Sequence, residues 1–385
     1  MNFIKRFFSE QRQSFFLFGP RGTGKSTLVR ACYEDALWID LLNPETLRSF
    51  SARPERLFDV VGGNPDKKIV VIDEVQKIPS LLSVVHALLE ADKKVQYIMT
   101  GSSSRKLKQA GADLLAGRAL QRHLYPFMAA ELGTAFSLEQ ALQIGMLPVL
   151  LGAKDPAAAL QAYIGLYLKE EIQAEGLVRN LESFSRFLET ISFSHASPLN
   201  VTNIARECEV KRKTVENYIE ILEELLLGYK IPIFTKRAKR ELSSHPKFYL
   251  FDTGVFRALR PHGILDRSEE IEGGALEGLV LQHLKAWNDY GTDNHDLAFW
   301  RTRSGLEVDF VVYGPRGFWA IEVKNAKKVN SNDIKPLEEF LADYPMAKGI
   351  MLYRGKERFV QKNVLCIPCD EFLMSLRPNH PLWAE

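Results

Sequence analysis

Apolar and polar positions alternate along the first third of this chain in two kinds of block. Short apolar runs, FFLF at 15–18, ALWIDLL at 36–42, KIVVI at 68–72 and VQYIM at 95–99, read as buried strands. Between them lie segments with helical spacing, TLVRACYE, PETLRSF, PERLFDVVG and PSLLSVVHALLEA. That order predicts an α/β domain with a parallel sheet, to which RALQRHLYPF adds a further strand-like segment. In the middle of the chain the period changes. Residues 155–179 are amphipathic at helical spacing, SFSRFLETISF reads as a second helix, and a short helix, Val201–Glu207, is followed by a turn through Cys208 to Val210. A long helix from Lys211 to Leu227 and two β-like segments, KIPIFTKR and KFYLFD, come next. The last third is α/β again: a helix starting at Gly273, a strand after the turn at Ser304-Gly305, and a hairpin turn at GPRG (314–317) into FWAIEVKN.

With 385 residues the chain is too long for one core. We expect three parts: residues 1–150, 151–245 and 246–385. Hydrophobic residues make up 46% and charged residues 25%, an ordinary globular composition. The formal net charge of +2 supplies no global field for nucleic acid, so any basic surface must be local. No run approaches the ~18 apolar residues of a membrane span, and the start, MNFIKRFFSEQRQ, has no apolar core or cleavage site, so a cytoplasmic protein is expected. The four cysteines, Cys32, Cys208, Cys366 and Cys369, are too scattered for a disulfide framework. Cys366 and Cys369 have C-x-x-C spacing, but a zinc site would need two more ligands and there is no second pair.

The sharpest motif follows the first apolar run. Gly19, Pro20, Arg21, Gly22, Thr23, Gly24, Lys25, Ser26 and Thr27 satisfy G-x-x-x-x-G-K-[ST] between a strand and a helix. The glycines let backbone N–H groups turn around a phosphate, Lys25 reaches the β- and γ-phosphates, and the Ser26 hydroxyl is placed for Mg²⁺. ATP is therefore the expected ligand. The run KIVVI ends in Asp73-Glu74, which puts two carboxylates at a strand's C-terminal edge. Asp73 would hold Mg²⁺ through water, and Glu74 would orient or deprotonate the attacking water. At the end of the next strand Thr100 and Ser102 are candidates to touch the γ-phosphate; either can equally cap the helix that follows. Arg118, with Arg122 behind it, is a candidate finger for a neighbouring subunit's nucleotide, which would make the protein a homo-oligomer; a solvated strand-edge cation is the plain alternative.

GPRGTGKST, VVIDEVQKIP, YIMTGSSSRKL and LAGRALQRHLYPF in series resemble the N-terminal module of AAA-type ATPases of the archaeal-ATPase group, over roughly residues 1–150. The resemblance implies that Gly19 to Ser26 are Walker A, Asp73 and Glu74 are Walker B, and TGSSS is the polar sensor stretch. At Gly145-Met146-Leu147-Pro148 the chain lacks a second glycine that relatives usually carry. That departure concerns the lid that follows rather than ATP binding.

The middle third has a helix-turn-helix pattern with a wing. Its second helix opens with Lys211, Arg212 and Lys213, and the wing carries Lys236, Arg237, Lys239 and Arg240. Residues 211–240 hold eight basic and four acidic residues, a local excess of four positive charges. Cations there are placed to meet DNA phosphates, although they can also be a solvated face on a helix that packs against a protein. Asp252-Thr253-Gly254 most simply caps the next helix.

The last third offers a second set of spaced carboxylates. Glu277 stands near a helix start, Asp309 on a strand, and Glu322 and Lys324 two apart on its hairpin partner, hence on one face. Such a set can bind one or two Mg²⁺ or Mn²⁺ ions beside a cation that activates water. Glu307 and Arg303 lie next to it in sequence. The order resembles the PD-(D/E)xK nuclease core, although no proline precedes Asp309, and it is similar to the C-terminal domain that follows the AAA module, with a winged helix between, in the same group. Two readings stay open: an ATPase acting on DNA with a metal-dependent nuclease-like domain, and a non-cutting ATP-dependent switch that binds DNA or protein.

Overall fold

Phe15–Phe18 forms strand β1 with all four side chains buried. A central strand of a parallel sheet needs this pattern, because both of its faces are covered. Its partners are β2 (Leu37–Asp40), β3 (Ile69–Asp73), β4 (Gln96–Gly101) and β5 (Leu120–His123), in the order β2-β3-β4-β1-β5 with every neighbour parallel. Phe18 is level with Gly101, and Ile72 with Met99. The loops after β1, β3 and β4 therefore leave from one edge, where open parallel sheets bind their ligands. The helix Leu81–Ala91 packs Leu81, Leu82, Val84 and Val85 into a core with Val70, Ile72, Tyr97 and Met99. Each such side chain contributes about 1.5–3 kcal/mol by leaving water.

These elements belong to one of two units in this computed structural model, Phe8–Tyr125 with Glu224–Leu226. Met1–Phe7, Pro126–Glu223 and Leu227–Glu385 form the other. The structure describes residues 3–105, 107, 115–168, 181–236, 245–263 and 266–383. The expected helix over 155–179 is seen as Pro156–Ala162, capped by the Asp155 side chain on Ala158 N, and continues in wider π-type turns to Leu168. Its remainder lies outside the described residues, as do the wing cations Arg237, Lys239 and Arg240.

The second unit has two sheets among the described residues. In the smaller, β6 (Ser197–Pro198), β8 (Lys247–Leu250) and β7 (Gly228–Ile231) are antiparallel in that order. The helix Leu181–Ser192 precedes them in the chain, and the helices Val201–Glu207 and Arg212–Glu224 lie between β6 and β7. The Asn200 side chain accepts from Asn203 N to cap the first of these two, and Glu209, at φ 53°, makes the turn between them. Beyond β7 the chain leaves this sheet: Phe234 N donates to Phe299 O at 2.7 Å, and the Phe234 ring enters the core of the larger sheet.

That sheet runs β13 (Phe359–Gln361), β14 (Val364–Pro368), β12 (Lys348–Tyr353), β11 (Gly317–Lys324), β10 (Glu307–Gly314), β9 (Asp296–Arg301). β9, β10 and β11 form an antiparallel meander, and β11, β12 and β14 are parallel. The helix Ser331–Asp343 makes the crossover from β11 to β12 and buries Ile334, Leu337 and Phe340 against the sheet. Between Val308 and Val311 the pairing of β10 with β9 shifts register. Asp309 sits in that irregularity, a kind of kink that re-aims a side chain.

Candidate functional sites

The loop Gly19–Gly24 is shaped by its glycines. Gly22 (φ 84°) and Gly24 (φ 87°) are left-handed, a region that side chains other than glycine enter only at a cost. Gly19 is needed for a different reason, since a Cβ there would lie 2.4 Å from the Leu124 carbonyl oxygen. Lys25 opens the helix Lys25–Cys32; its buried ammonium donates to Gly19 O at 2.7 Å and to Pro20 O at 3.3 Å. Thr23 folds inward on Pro20 O, while Arg21 and Thr27 are exposed.

Across the sheet edge the Ser26 hydroxyl donates to Asp73 Oδ1 at 3.0 Å, and Thr100 Oγ1 donates to the same oxygen. A serine hydroxyl beside a buried carboxylate is a donor set that Mg²⁺ takes next to a nucleotide, and Ser26 and Asp73 would be the residues that hold it. These residues fit the ion, with phosphate oxygens completing its shell. Glu74 adopts a left-handed conformation, φ 63°, rare for a side-chain-bearing residue, and its N–H donates to Thr100 Oγ1 at 3.1 Å. Thr100 thus bonds both members of the Asp73-Glu74 pair. Ser102 instead accepts from the Gln76 amide at 3.3 Å, and that amide also donates to Glu74 Oε2 at 2.6 Å. Gln76 was not a candidate from the sequence, because its role depends on a single-turn helix, Val75–Lys77, that folds it back on Glu74.

The structure does not bring Arg118 or Arg122 to this group. Leu120 is level with Phe15, so Arg118 lies at the opposite edge of the sheet from Lys25 and pairs there with Glu90. Arg122 Nε donates to Gln11 Oε1. Within its own chain, Arg118 is far from the phosphate loop.

In the other unit the structure brings together Glu277, Asp309 and Glu322, with Lys324 beside Glu322. Glu277 stands mid-way along the helix Ser268–Tyr290 rather than near its start. Lys324 Nζ lies 2.8 Å from Glu322 Oε1, so the two do share a face. The residue missing from the sequence reading is Lys247, the first residue of β8. Its side chain is 1% exposed, and its ammonium lies 2.8 Å from Glu277 Oε1, 2.5 Å from Glu307 Oε1 and 3.0 Å from Asp309 Oδ1. Tyr249, two residues along β8, donates to Glu277 Oε1 at 2.5 Å. Asp309 Oδ2 accepts from Val323 N, and Arg301 pairs with Glu307.

This arrangement corrects the expected metal set. Among the described residues no group of carboxylate, histidine or cysteine side chains is arranged to hold a metal ion. Glu277, Asp309 and Glu322 do not fit Mg²⁺ or Mn²⁺ because an ammonium stands between the carboxylates that would ligate it. Burial pushes the Glu277 carboxyl up to about 7; Asp309 adds to the shift and Lys247 opposes it. Burial, reinforced by Asp309 and opposed by Lys324, holds Glu322 well above the carboxylate range. Burial would lower Lys247, but Glu277, Tyr249, Asp309 and Glu307 outweigh it and raise the ammonium well above its ordinary value.

Asp252 has more than the capping role expected. It accepts from Val255 N at 3.1 Å and also from Met146 N at 2.8 Å, tying down the Gly145-Met146 turn. Cys366 and Cys369 are buried thiols, and burial raises Cys366 to about 11.

Residues 11–133 match a family described as AAA domain, residues 135–267 a domain of unknown function (DUF8612), and residues 272–372 a second domain of unknown function (DUF4143). The N-terminal part is thus similar to AAA-type P-loop ATPase domains. A relative from Haemophilus influenzae, described as an uncharacterized protein, is 24% identical over 264 residues. The match covers 64% of this chain and 63% of that protein, so the chain spans under two thirds of the relative's length. Among solved structures, the replication initiator DnaA bound to AMPPCP and single-stranded DNA is similar at 13% identity, over 58% of this chain and 84% of that one, with a TM-score of 0.27. A Vibrio cholerae protein is similar at 11% identity, over 89% and 96%, with a TM-score of 0.21. Similarity at these scores carries no argument about this chain. No helix among the described residues is long and apolar enough to cross a membrane.

Proposed function

We propose that this protein is an ATP-hydrolysing switch that acts on DNA without cutting it. The observation that carries the reading is the group Lys25, Ser26, Asp73, Glu74 and Thr100 at one sheet edge. The N–H groups of the loop and Lys25 would hold the phosphates, Ser26 and Asp73 would hold a Mg²⁺ ion that would supply charge neutralisation, and Glu74 would take the proton of the attacking water. Gln76 and Thr100 fix where the Glu74 carboxylate and backbone sit. Arg118 would act on a second copy's nucleotide, which makes the working form a cytoplasmic homo-oligomer.

The middle segment supports the DNA part. The helices Val201–Glu207 and Arg212–Glu224 and the β7/β8 pair read as a winged helix, within a division at 1–150, 151–245 and 246–385. Lys211, Arg212 and Lys213 are exposed at the head of its second helix; Arg212 and Lys213 lie near Glu216, at 3.0 and 3.9 Å. Lys236 is turned to Asp296 and contributes less. The Lys247-filled cluster is what favours the non-cutting form of the reading.

Two measurements test it together: phosphate release with and without DNA, and anisotropy of labelled DNA as salt is raised. Replacing Lys211, Arg212 and Lys213 by alanine is expected to lower the slope of log affinity against log salt by about one per lost phosphate contact. ATP turnover with unchanged DNA affinity in that variant would mean that the helix packs on a protein.

A further inference from the structure

The carboxylate cluster of the second unit raises a question that its resemblance to a nuclease core does not answer. Four acidic side chains, Glu277, Glu307, Asp309 and Glu322, converge from the helix Ser268–Tyr290 and the two strands of a hairpin, β10 and β11. A divalent cation would draw such oxygens to roughly 2.0–2.6 Å. Instead one ammonium lies 2.5–3.0 Å from three of them. An ammonium has three N–H donors, and three carboxylates use all of them. A charge this deeply buried is tolerated only when paired, so Lys247 cannot leave while the acids stay, nor the acids ionise without it.

A second, independent observation marks the site as having an unused oxygen. Glu322 Oε2 is buried and has no hydrogen-bond partner, although its other oxygen reaches Lys324. The cluster therefore has acceptor capacity that its own side chains do not use.

We infer that Lys247 is the resident cation of this cluster: carried in on β8, it takes the place a divalent metal would occupy, closes the site to metal, and leaves a latent metal site that its removal opens. Because β8 also carries Tyr249 onto Glu277, one strand supplies both the cation and a hydrogen-bond donor to the acids. The cluster then works as a junction joining β8, the long helix and the large sheet. This holds whether or not the ATP site turns over, so its failure is separate from that of the switch reading.

The test is Mn²⁺ uptake by the nucleotide-free full chain, read from the loss of the free-ion resonance, in four proteins: wild type, Asp309→Asn, Lys247→Met, and the double variant. Wild type and Asp309→Asn are expected to take up the same amount. Lys247→Met should gain one further Mn²⁺ per chain and lose it again in the double variant. Two results overturn the inference: wild type binding one Mn²⁺ more than Asp309→Asn, or a folded Lys247→Met that gains none. If Lys247→Met is unfolded without metal, its circular dichroism is followed as Mn²⁺ is added. Recovery of helix that the double variant does not show supports the latent site, and no recovery overturns it.

Discussion

Two buried lysines, one after the loop that follows β1 and one on β8, meet opposite fates in this molecule. Lys25 is held by the carbonyl oxygens of Gly19 and Pro20, and Asp73 keeps its bonds for the hydroxyls of Ser26 and Thr100. Lys247 is bonded straight to Glu277, Glu307 and Asp309. Carbonyl dipoles help to hold the first ammonium, and the Asp73 oxygen is met by two neutral hydroxyls. In the second case one ammonium is shared by three carboxyl groups, and the result is a buried ion cluster. The chemistry open to a lysine and an aspartate thus depends on what each is bonded to, more than on their being near each other.

The largest expected effect sharpens the first half of this contrast. Lys25→Ala should lower ATP turnover by about two to three orders of magnitude, since it removes a preorganised donor to the transferring phosphoryl group. Glu74→Gln should lose turnover while still binding ATP, as the missing base acts only on the water. Phosphate release beside nucleotide binding separates the two, and a Lys25→Ala chain with wild-type turnover would break the comparison outright.

On the other side the prediction concerns stability. Lys247→Met should cost about 3–5 kcal/mol in urea unfolding, because it strands buried carboxylates, with partial recovery on adding Glu277→Gln. Lys25→Met should cost less than Lys247→Met, as the Gly19 and Pro20 carbonyls that its ammonium leaves are neutral acceptors, whereas Lys247 leaves three carboxyl groups. Equal losses for the two would mean that the charge pairing at Lys247 counts for little.

A smaller effect comes from two histidines of the second unit. His195 Nδ1 accepts from Leu250 N while Nε2 faces Gly274 O, and His283 Nε2 accepts from Ala129 N while Nδ1 faces Leu279 O. Each ring is neutral, with one nitrogen turned to a backbone N–H, and burial lowers the pKa to about 3 for His195 and about 4 for His283. Since the folded values lie below the unfolded one near 6.5, their contribution is complete above that pH and is lost as pH falls towards 4. Each should contribute about 1.4 kcal/mol per pH unit across that window. Urea midpoints at pH 7 and 5 check this, and flat midpoints in a His283→Gln variant would assign the effect to His283.

Much of the first unit was legible in the sequence for a local reason. The phosphate loop is a run of nine residues whose glycines impose its shape, and the strand KIVVI delivers Asp73 and Glu74 to the same edge by simple parallel pairing. Gln76 was not legible, because nothing in VQK marks the turn that aims it back at Glu74. In the second unit Glu322 and Lys324 could be read as neighbours from strand alternation alone. Lys247 could not, being 30 residues from Glu277 and 62 from Asp309 in a segment whose local pattern says only that a strand begins.

The sequence by itself thus determined the glycine-shaped loop after β1 and the placing of Asp73 and Glu74 at the same sheet edge, where spacing along a few residues dictates backbone direction. Only the tertiary structure decided what the acids of the last third do. Their cation arrives on a strand from another sheet, and no periodicity records which buried charge a distant strand will set among them.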